Sequence, residues 1–157
     1  MGDQDINIVS ISDTADKKNL IYLLKYDSIY GKLNAEIHET ETGIVVDGKE
    51  IIFNSWKDGD EADWVKIGTD VVVLATGKPK TKEEVDVHLS KGCKKVIVAS
   101  TPENFKDIQI FVPGANDENI DFKSNVFSLG SNTANAVAPI LKALNKDVGV
   151  ELSLIHI

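Results

Sequence analysis

The chain has 157 residues, of which 42% are apolar, so it is long enough for one domain with a substantial core. Its net charge of −8, with 25 acidic residues against 17 lysines and no arginine, argues against a nucleic-acid or anionic-membrane surface. The single cysteine, Cys93, cannot form an internal disulfide, and no apolar run approaches membrane-spanning length. We therefore expect a cytoplasmic protein.

The first predicted element is a strand over residues 6–12, a run of apolar and β-branched residues that ends at Asp13. Such a run is typical of a buried parallel strand. In dinucleotide-binding folds an acid at this end of a strand hydrogen-bonds ribose hydroxyls. Alternatively, Asp13 or Thr14 caps the helix that the sequence predicts over residues 19–26.

Three segments after this helix, residues 32–39, Gly43–Val46 and residues 50–54, alternate between apolar and polar side chains. They are separated by turn residues at positions 41–42 and 47–48. The pattern predicts an antiparallel meander.

The second half of the chain predicts alternating strands and helices. Val71–Leu74 is wholly apolar, which indicates a central strand covered on both faces, and the small residues 75–77 follow it. A helix is predicted over residues 81–91, because acidic residues open it and Gly92 ends it. Strands are predicted over residues 94–100 and 125–129.

The last of these strands breaks at Gly130 into Ser131, Asn132 and Thr133, which open a helix over residues 134–146. In α/β sheets, ligands lie beyond the carboxyl ends of the strands, and a helix that begins there offers unpaired N–H groups to an anion. The sequence therefore predicts a functional site at these three polar residues. The alternative is that Ser131 or Asn132 only caps the helix.

These segments resemble glyceraldehyde-3-phosphate dehydrogenases. Residues 130–139 read G-S-N-T-A-N-A-V-A-P, against A-S-C-T-T-N-C-x-A-P in the active-site segment of that family. Residues 26–33 read Y-D-S-I-Y-G-K-L, against Y-D-S-x-H-G-x-F, and residues 9–13 read V-S-I-S-D, against V-A-I-N-D. The resemblance extends from residue 9 to about residue 151 in the order of the family.

The resemblance implies NAD as the cofactor and a small phosphorylated aldehyde as the substrate. It assigns the ribose-binding role to Asp13, and it places Thr76 and Gly77 beside the cofactor, where the alternative is an ordinary turn after a strand. It assigns Ser131 and Thr133 to the substrate and its phosphate.

The nucleophile of the family is replaced in this chain. Members of the family oxidise glyceraldehyde 3-phosphate with NAD and phosphate in glycolysis, through a cysteine that corresponds to Asn132 here. An amide cannot form the thioester that this chemistry requires. We therefore expect that this chain has no catalytic residue at that position and is inactive by itself.

The glycine fingerprint G-x-G-x-x-G of dinucleotide-binding folds does not occur in the sequence. The strand at residues 6–12 corresponds to the second strand of the family. The predicted fold is therefore an α/β, Rossmann-type, mainly parallel sheet with flanking helices and an inserted antiparallel meander, whose first βα unit is missing. Either residues 6–12 pair with Val71–Leu74, or another chain supplies a strand, or the sequence is incomplete. Unpaired edges predict self-association.

We interpret residues 1–151 as a partial NAD-binding domain. Residues 152–157 are either a tail derived from a sequencing adaptor or a truncated strand, and we assign no role to His156. Two hypotheses follow. The chain is a fragment of a glyceraldehyde-3-phosphate dehydrogenase homologue, or it is a non-enzymatic binding or assembly module derived from that fold.

Overall fold

A computed structural model describes residues 6–155 of the chain. The chain divides into two compact units, Met1–Thr69 and Asp70–Ile157. Each unit has its own strands and its own buried residues, and each is described by itself.

The first unit contains six strands and two helices among its described residues. In chain order they are β1 (Ser10–Ser12), α1 (Lys17–Lys25), β2 (Tyr26–Asp27), β3 (Gly31–Lys32), β4 (Ile37–Glu39), β5 (Gly43–Val46), β6 (Lys49–Asn54) and α2 (Trp64–Ile67). A 3-10 turn at Gly59–Glu61 precedes α2.

The predicted meander is confirmed as β4, β5 and β6, which pair antiparallel. The predicted turn at positions 47–48 joins β5 to β6, and Asp47 and Gly48 both have positive φ angles, of 48° and 79°. Two positive φ angles are typical of the tight hairpin turn that matches the twist of the strands. The predicted strand over residues 32–39 is wrong in extent, because β3 pairs with β2 in a small separate hairpin and β4 begins only at Ile37.

Strand β1 completes this sheet by pairing parallel with β6, which gives the order β1-β6-β5-β4. The first unit has a small apolar core, which consists of the buried side chains Ile37, Ile44, Ile51, Ala62 and Trp64. The ring of Trp56 meets that of Trp64 edge to face, with 5.3 Å between their centroids.

The second unit is built on a parallel sheet. In chain order its elements are β7 (Val71–Leu74), α3 (Lys82–Ser90), β8 (Lys95–Val98), β9 (Val126–Ser128) and α4 (Asn132–Asp147). The strands lie in the order β7-β8-β9, and one face of the sheet supplies the buried side chains Val72, Leu74, Val96, Val98 and Val126. The predicted strands and both predicted helices of this half are confirmed, with shifts of a few residues at their ends.

Two predictions about burial are wrong. The strand predicted over residues 6–12 is parallel but only three residues long, and Ile6 and Ile8 are 66% and 57% exposed. In β7, Val72 and Leu74 are buried, whereas Val71 and Val73 are 45% and 58% exposed. An apolar run shows that a strand can be covered on both faces, but it cannot show that the chain contains the elements that would cover it.

The prediction of one mainly parallel sheet is also corrected. The described strands form a mixed four-stranded sheet, a two-stranded hairpin and a parallel three-stranded sheet. Strand β1 therefore pairs with β6 and not with β7. The α/β class is confirmed, while the missing first βα unit remains a prediction. None of the helices within residues 6–155 is long and apolar enough to cross a membrane.

Candidate functional site

The strands of the second unit bring three loops to one edge of their sheet. Because β7, β8 and β9 are parallel, their carboxyl ends lie side by side, and residues 75–77, 99–101 and 129–131 follow them. The Ala99 N–H donates to the Leu74 carbonyl at 3.0 Å, and the Leu129 N–H donates to the Val98 carbonyl at 2.8 Å. Since neighbouring strands are about 4.8 Å apart, the loops after β7 and β9 are separated by about 10 Å.

The turn from β9 into α4 is held by buried contacts. Gly130 has a φ angle of 69°, and a Cβ at this position would lie 3.0 Å from Ile110 Cγ2. The hydroxyl of Ser128, which is fully buried, accepts the Gly130 N–H at 2.9 Å and donates to the Ser100 carbonyl. The direction in which α4 leaves the sheet is therefore fixed by local geometry.

Ser131 caps α4, because its Oγ accepts the Ala134 N–H at 3.0 Å. Asn135 Nδ2 reinforces the turn by donating to the Leu129 carbonyl at 2.6 Å and to the Ser131 carbonyl at 3.0 Å. The capping alternative of the sequence analysis thus holds for Ser131 and not for Asn132. Capping leaves the Ser131 hydroxyl proton available as a donor.

Asn132 and Thr133 are the first two residues of α4, and both are exposed. The Asn132 amide and the Thr133 hydroxyl can hydrogen-bond a polar ligand at this helix N-terminus. Among the described residues, no base is hydrogen-bonded to either side chain to activate it as a nucleophile. The arrangement can bind a polar ligand through hydrogen bonds.

Cys93 cannot take the place of a nucleophile at this edge. It precedes β8 and therefore lies at the opposite, amino-terminal edge of the parallel sheet. The side chain is buried, its Sγ lies 3.2 Å from the His88 carbonyl, and burial raises the pKa of the thiol. A neutral, buried thiol is the inert form of cysteine.

Thr76 and Gly77 are exposed in the loop after β7. Gly77 has a φ angle of 72°, and nothing lies within 4 Å of the position where a Cβ would be. The Ser100 hydroxyl donates to the Lys78 carbonyl at 2.8 Å and ties this loop to the one after β8. The structure therefore places Thr76, Gly77 and the Ser131–Thr133 turn at the same edge of one sheet.

Asp13 belongs to the first unit and lies at the carboxyl end of its parallel strand pair. Its N–H donates to the Asn54 carbonyl at 3.0 Å, and its Oδ1 accepts the Ala15 N–H at 2.8 Å. The exposed carboxylate keeps its second oxygen free of described partners. The capping alternative for Asp13 and Thr14 is wrong, because Asp16 caps α1 by accepting the N–H groups of Lys18 and Asn19.

The structure shows residues that support the candidate site and that the sequence analysis does not name. Ser128 and Asn135 hold the turn into α4, and Asn54 holds the end of β1 by donating from Nδ2 to Ser10 Oγ at 2.8 Å. The sequence contains a pattern that could have pointed to each of these residues. Ser128 and Asn54 are polar residues at the ends of apolar strands, and Asn135 follows the helix cap Ser131 by four positions. Within residues 6–155, no group of three or more His, Cys, Asp or Glu side chains could hold a metal ion.

Comparison with known proteins shows which family the chain belongs to. Residues 1–82, just over half of the chain, match the sequence model of the glyceraldehyde 3-phosphate dehydrogenase NAD binding domain. The chain is 40% identical over 147 residues to a glyceraldehyde-3-phosphate dehydrogenase of Geobacillus stearothermophilus and 36% identical over 146 residues to one of Thermotoga maritima. These alignments cover 93% of the chain but only 43% of each relative, so the chain spans less than half of their length. The chain belongs to the glyceraldehyde-3-phosphate dehydrogenase family, whose cofactor is NAD.

Proposed function

We propose that this chain is part of the NAD-binding domain of a glyceraldehyde-3-phosphate dehydrogenase-like oxidoreductase, and that it is catalytically inactive by itself. The observation that supports inactivity is Asn132 at the first position of α4, where the resemblance to the family puts the catalytic cysteine. The polar groups of the strand-end loops would bind and orient ligands. No described side chain at this edge would form a covalent bond to an aldehyde.

The residues present suit one part of NAD better than the other. In the first unit, the free carboxylate oxygen of Asp13 would accept hydrogen bonds from ribose hydroxyls. In the second unit, the open space around Gly77 would allow a ligand to approach the backbone. A glycine-rich turn for the pyrophosphate is not found in the sequence. When bound, NAD would supply the hydride acceptor. We therefore propose that this chain binds NAD weakly.

The substrate side of the proposal rests on Ser131 and Thr133. Their exposed hydroxyls stand at the N-terminus of a 16-residue helix, where N–H groups and hydroxyls together favour an anion such as a phosphate. A small phosphorylated aldehyde is the ligand that the family relationship suggests. We propose a cytoplasmic location, in keeping with glycolysis.

The alternative function is a non-enzymatic binding or assembly module derived from the same fold. The exposed valines of β7 favour it, because β7 pairs only with β8 among the described strands and presents Val71 and Val73 to solvent. An apolar strand with a free edge is a template for pairing with another chain. Under this alternative the chain self-associates through its sheet edges.

An activity assay tests the proposal. We expect no phosphate-dependent NAD reduction with glyceraldehyde 3-phosphate above a heat-denatured control. The Asn132→Cys variant is expected to remain inactive, because a thiol without a base or a complete cofactor site is a weakly ionised nucleophile. Turnover by the unmodified chain would contradict the proposal, and a full-length relative assayed in parallel shows that the assay works.

A further inference from the structure

The sequence contains two Asp-Gly pairs, Asp47–Gly48 and Asp58–Gly59, and both lie in the first unit. An aspartate that precedes a glycine can react with its own backbone, because glycine has no Cβ to hinder its nitrogen. The nitrogen attacks the carboxyl carbon of the aspartate, and a five-membered succinimide ring forms. Both pairs have this local chemistry, so their structural surroundings decide whether either of them reacts.

The reaction of an Asp-Gly pair consumes and releases only water. A bond forms between the glycine N and the aspartate Cγ, the bond from Cγ to the acid hydroxyl breaks, and the amide proton leaves with that hydroxyl as water. Water then adds to one of the two ring carbonyls. Opening at the side-chain carbonyl restores aspartate, whereas opening at the main-chain carbonyl leaves isoaspartate, whose backbone runs through the β-carbon.

Both reacting groups of the pair Asp58–Gly59 are free. The Asp58 side chain is exposed, does not cap the 3-10 turn that follows it, and forms no hydrogen bond or ion pair with any described residue. Gly59 is the first residue of that turn, where a backbone N–H has no partner within the helix. Its N–H donates to none of the acceptors that the structure describes.

Ring closure at Asp58 disturbs little of the surrounding structure. The ring requires rotation of the peptide unit between Asp58 and Gly59, which moves the Asp58 carbonyl. Among the described residues, the Glu61 N–H is the only donor to this carbonyl, and the bond is long, at 3.3 Å. An exposed turn with so few hydrogen bonds opens locally more readily than paired strands do.

The pair Asp47–Gly48 is held by contacts that the same reaction would break. Asp47 Oδ1 accepts the Glu36 N–H at 2.8 Å, and the Asp47 N–H donates to the Glu36 carbonyl at 2.9 Å. The pair forms the turn between β5 and β6, and the flanking residues Val46 and Lys49 are cross-strand partners. The Asp47 carboxylate is therefore occupied, and its backbone cannot rotate unless the hairpin opens.

We propose that Asp58–Gly59 is a modification site at which the folded chain forms isoaspartate without an enzyme, and that the fold protects Asp47–Gly48. The product carries a free α-carboxylate outside the backbone. An exposed isoaspartate of this kind is a substrate for carboxyl methyltransferases that recognise that group. The proposal is independent of NAD binding and of pairing between sheet edges.

Incubation of the full chain in mildly acidic buffer tests the proposal, because the carboxylic acid reacts and the carboxylate does not. An isoaspartyl methyltransferase with a labelled methyl donor counts the isoaspartates. An endoprotease that cleaves before aspartate but not before isoaspartate locates them. We expect position 58 to be modified at least about tenfold faster than position 47, since position 47 reacts only when the hairpin opens. In concentrated urea the two rates should agree within about threefold, because the hairpin is then unfolded.

Two substitutions remove the proposed site, and a third is the matched control. Gly59→Ala should slow the reaction at position 58 at least about tenfold, because a methyl group hinders the attacking nitrogen. Alanine is compatible with the backbone here, since Gly59 does not have a positive φ angle. Asp58→Glu should abolish the reaction, because a six-membered ring would have to form. Asp60→Glu makes the same change in the same turn but not before a glycine, so it should leave the rate at position 58 unchanged.

Two results would overturn the proposal. One is an equal rate of modification at positions 47 and 58 in the folded chain, including a rate of zero at both. The other is a rate at position 58 that Gly59→Ala leaves unchanged. Circular dichroism verifies that each variant is folded.

Discussion

Ser131 is the residue on which the candidate site most depends for its geometry. Its side chain caps α4, while its carbonyl is bound by Asn135 and its neighbour Gly130 is fixed by the buried Ser128. A residue proposed to bind a ligand thus also begins the helix that supports the site. Loss of the hydroxyl should therefore affect stability even without a ligand.

We predict that Ser131→Ala lowers the free energy of unfolding by about 1 kcal/mol, because the Ala134 N–H loses its acceptor at the helix N-terminus. Urea denaturation followed by circular dichroism measures the change. Asn132→Ala is the matched control, since Asn132 is exposed and does not cap; it should stay within about 0.5 kcal/mol of the unmodified chain. Equal effects of the two substitutions would contradict the assignment of the cap.

At the scale of elements, the parts of the fold that local chemistry determines could be predicted from the sequence. The meander follows from alternation and from Asp47 and Gly48 in its turn, and α3 follows from its acidic first turn and Gly92. The exposure of Val71 and Val73 could not be predicted, because it depends on which elements lie against β7. Local patterns carry no information about such distant packing.

The residues of the candidate site also divide into those that local sequence patterns identify and those that depend on distant contacts. The strand ends at Asp13, Thr76 and Ser131 were predictable, because small or polar residues there interrupt apolar runs. The hydroxyl of Ser128 that bridges to the Ser100 carbonyl was not, since the two residues are 28 positions apart in the chain. Hydrogen bonds across a sheet require the strand order, and the order is known only from the structure.

The N-terminus of α3 supplies a prediction for pH dependence. The Thr81 N–H bonds to Glu84 at 2.8 Å in a reciprocal capping box, and this bond lowers the pKa of Glu84 from its ordinary value of 4.5. A carboxyl group whose pKa is lowered on folding stabilises the protein above its unfolded pKa. That stabilisation is lost as the pH falls through the lowered pKa.

We therefore expect Glu84→Gln to be less stable than the unmodified chain at pH 7 and the difference to shrink as the pH is lowered to about 3. Urea denaturation at a series of pH values measures it. Glu83→Gln is the control, because it removes the same charge in the same helical turn and Glu83 has no described hydrogen bond. The difference in stability between Glu83→Gln and the unmodified chain should therefore vary less with pH. A constant difference for Glu84→Gln would show that the capping box does not depend on the carboxylate.

For the whole molecule, the exposed apolar face of β7 predicts association and dye binding. We expect the purified chain to bind a hydrophobic dye and to self-associate, because a free edge and two exposed valines can pair with another chain. Val73→Lys should reduce both, since a charge on an edge strand opposes pairing. Val148→Lys places the same charge at an exposed position after α4 and serves as the control. Strong dye binding that Val73→Lys leaves unchanged would contradict this role of β7.

Titration calorimetry with NAD tests the central claim most directly, namely that the chain retains the ribose side of the cofactor site without a glycine turn for the pyrophosphate. We predict a dissociation constant of about 1 mM or weaker, which corresponds to about 4 kcal/mol. If weak binding is measurable, Asp13→Ala should weaken it more than Asp13→Asn, because the amide oxygen still accepts a hydrogen bond. A dissociation constant in the low micromolar range, about 7–8 kcal/mol, would contradict the claim, because another segment would then replace the missing turn.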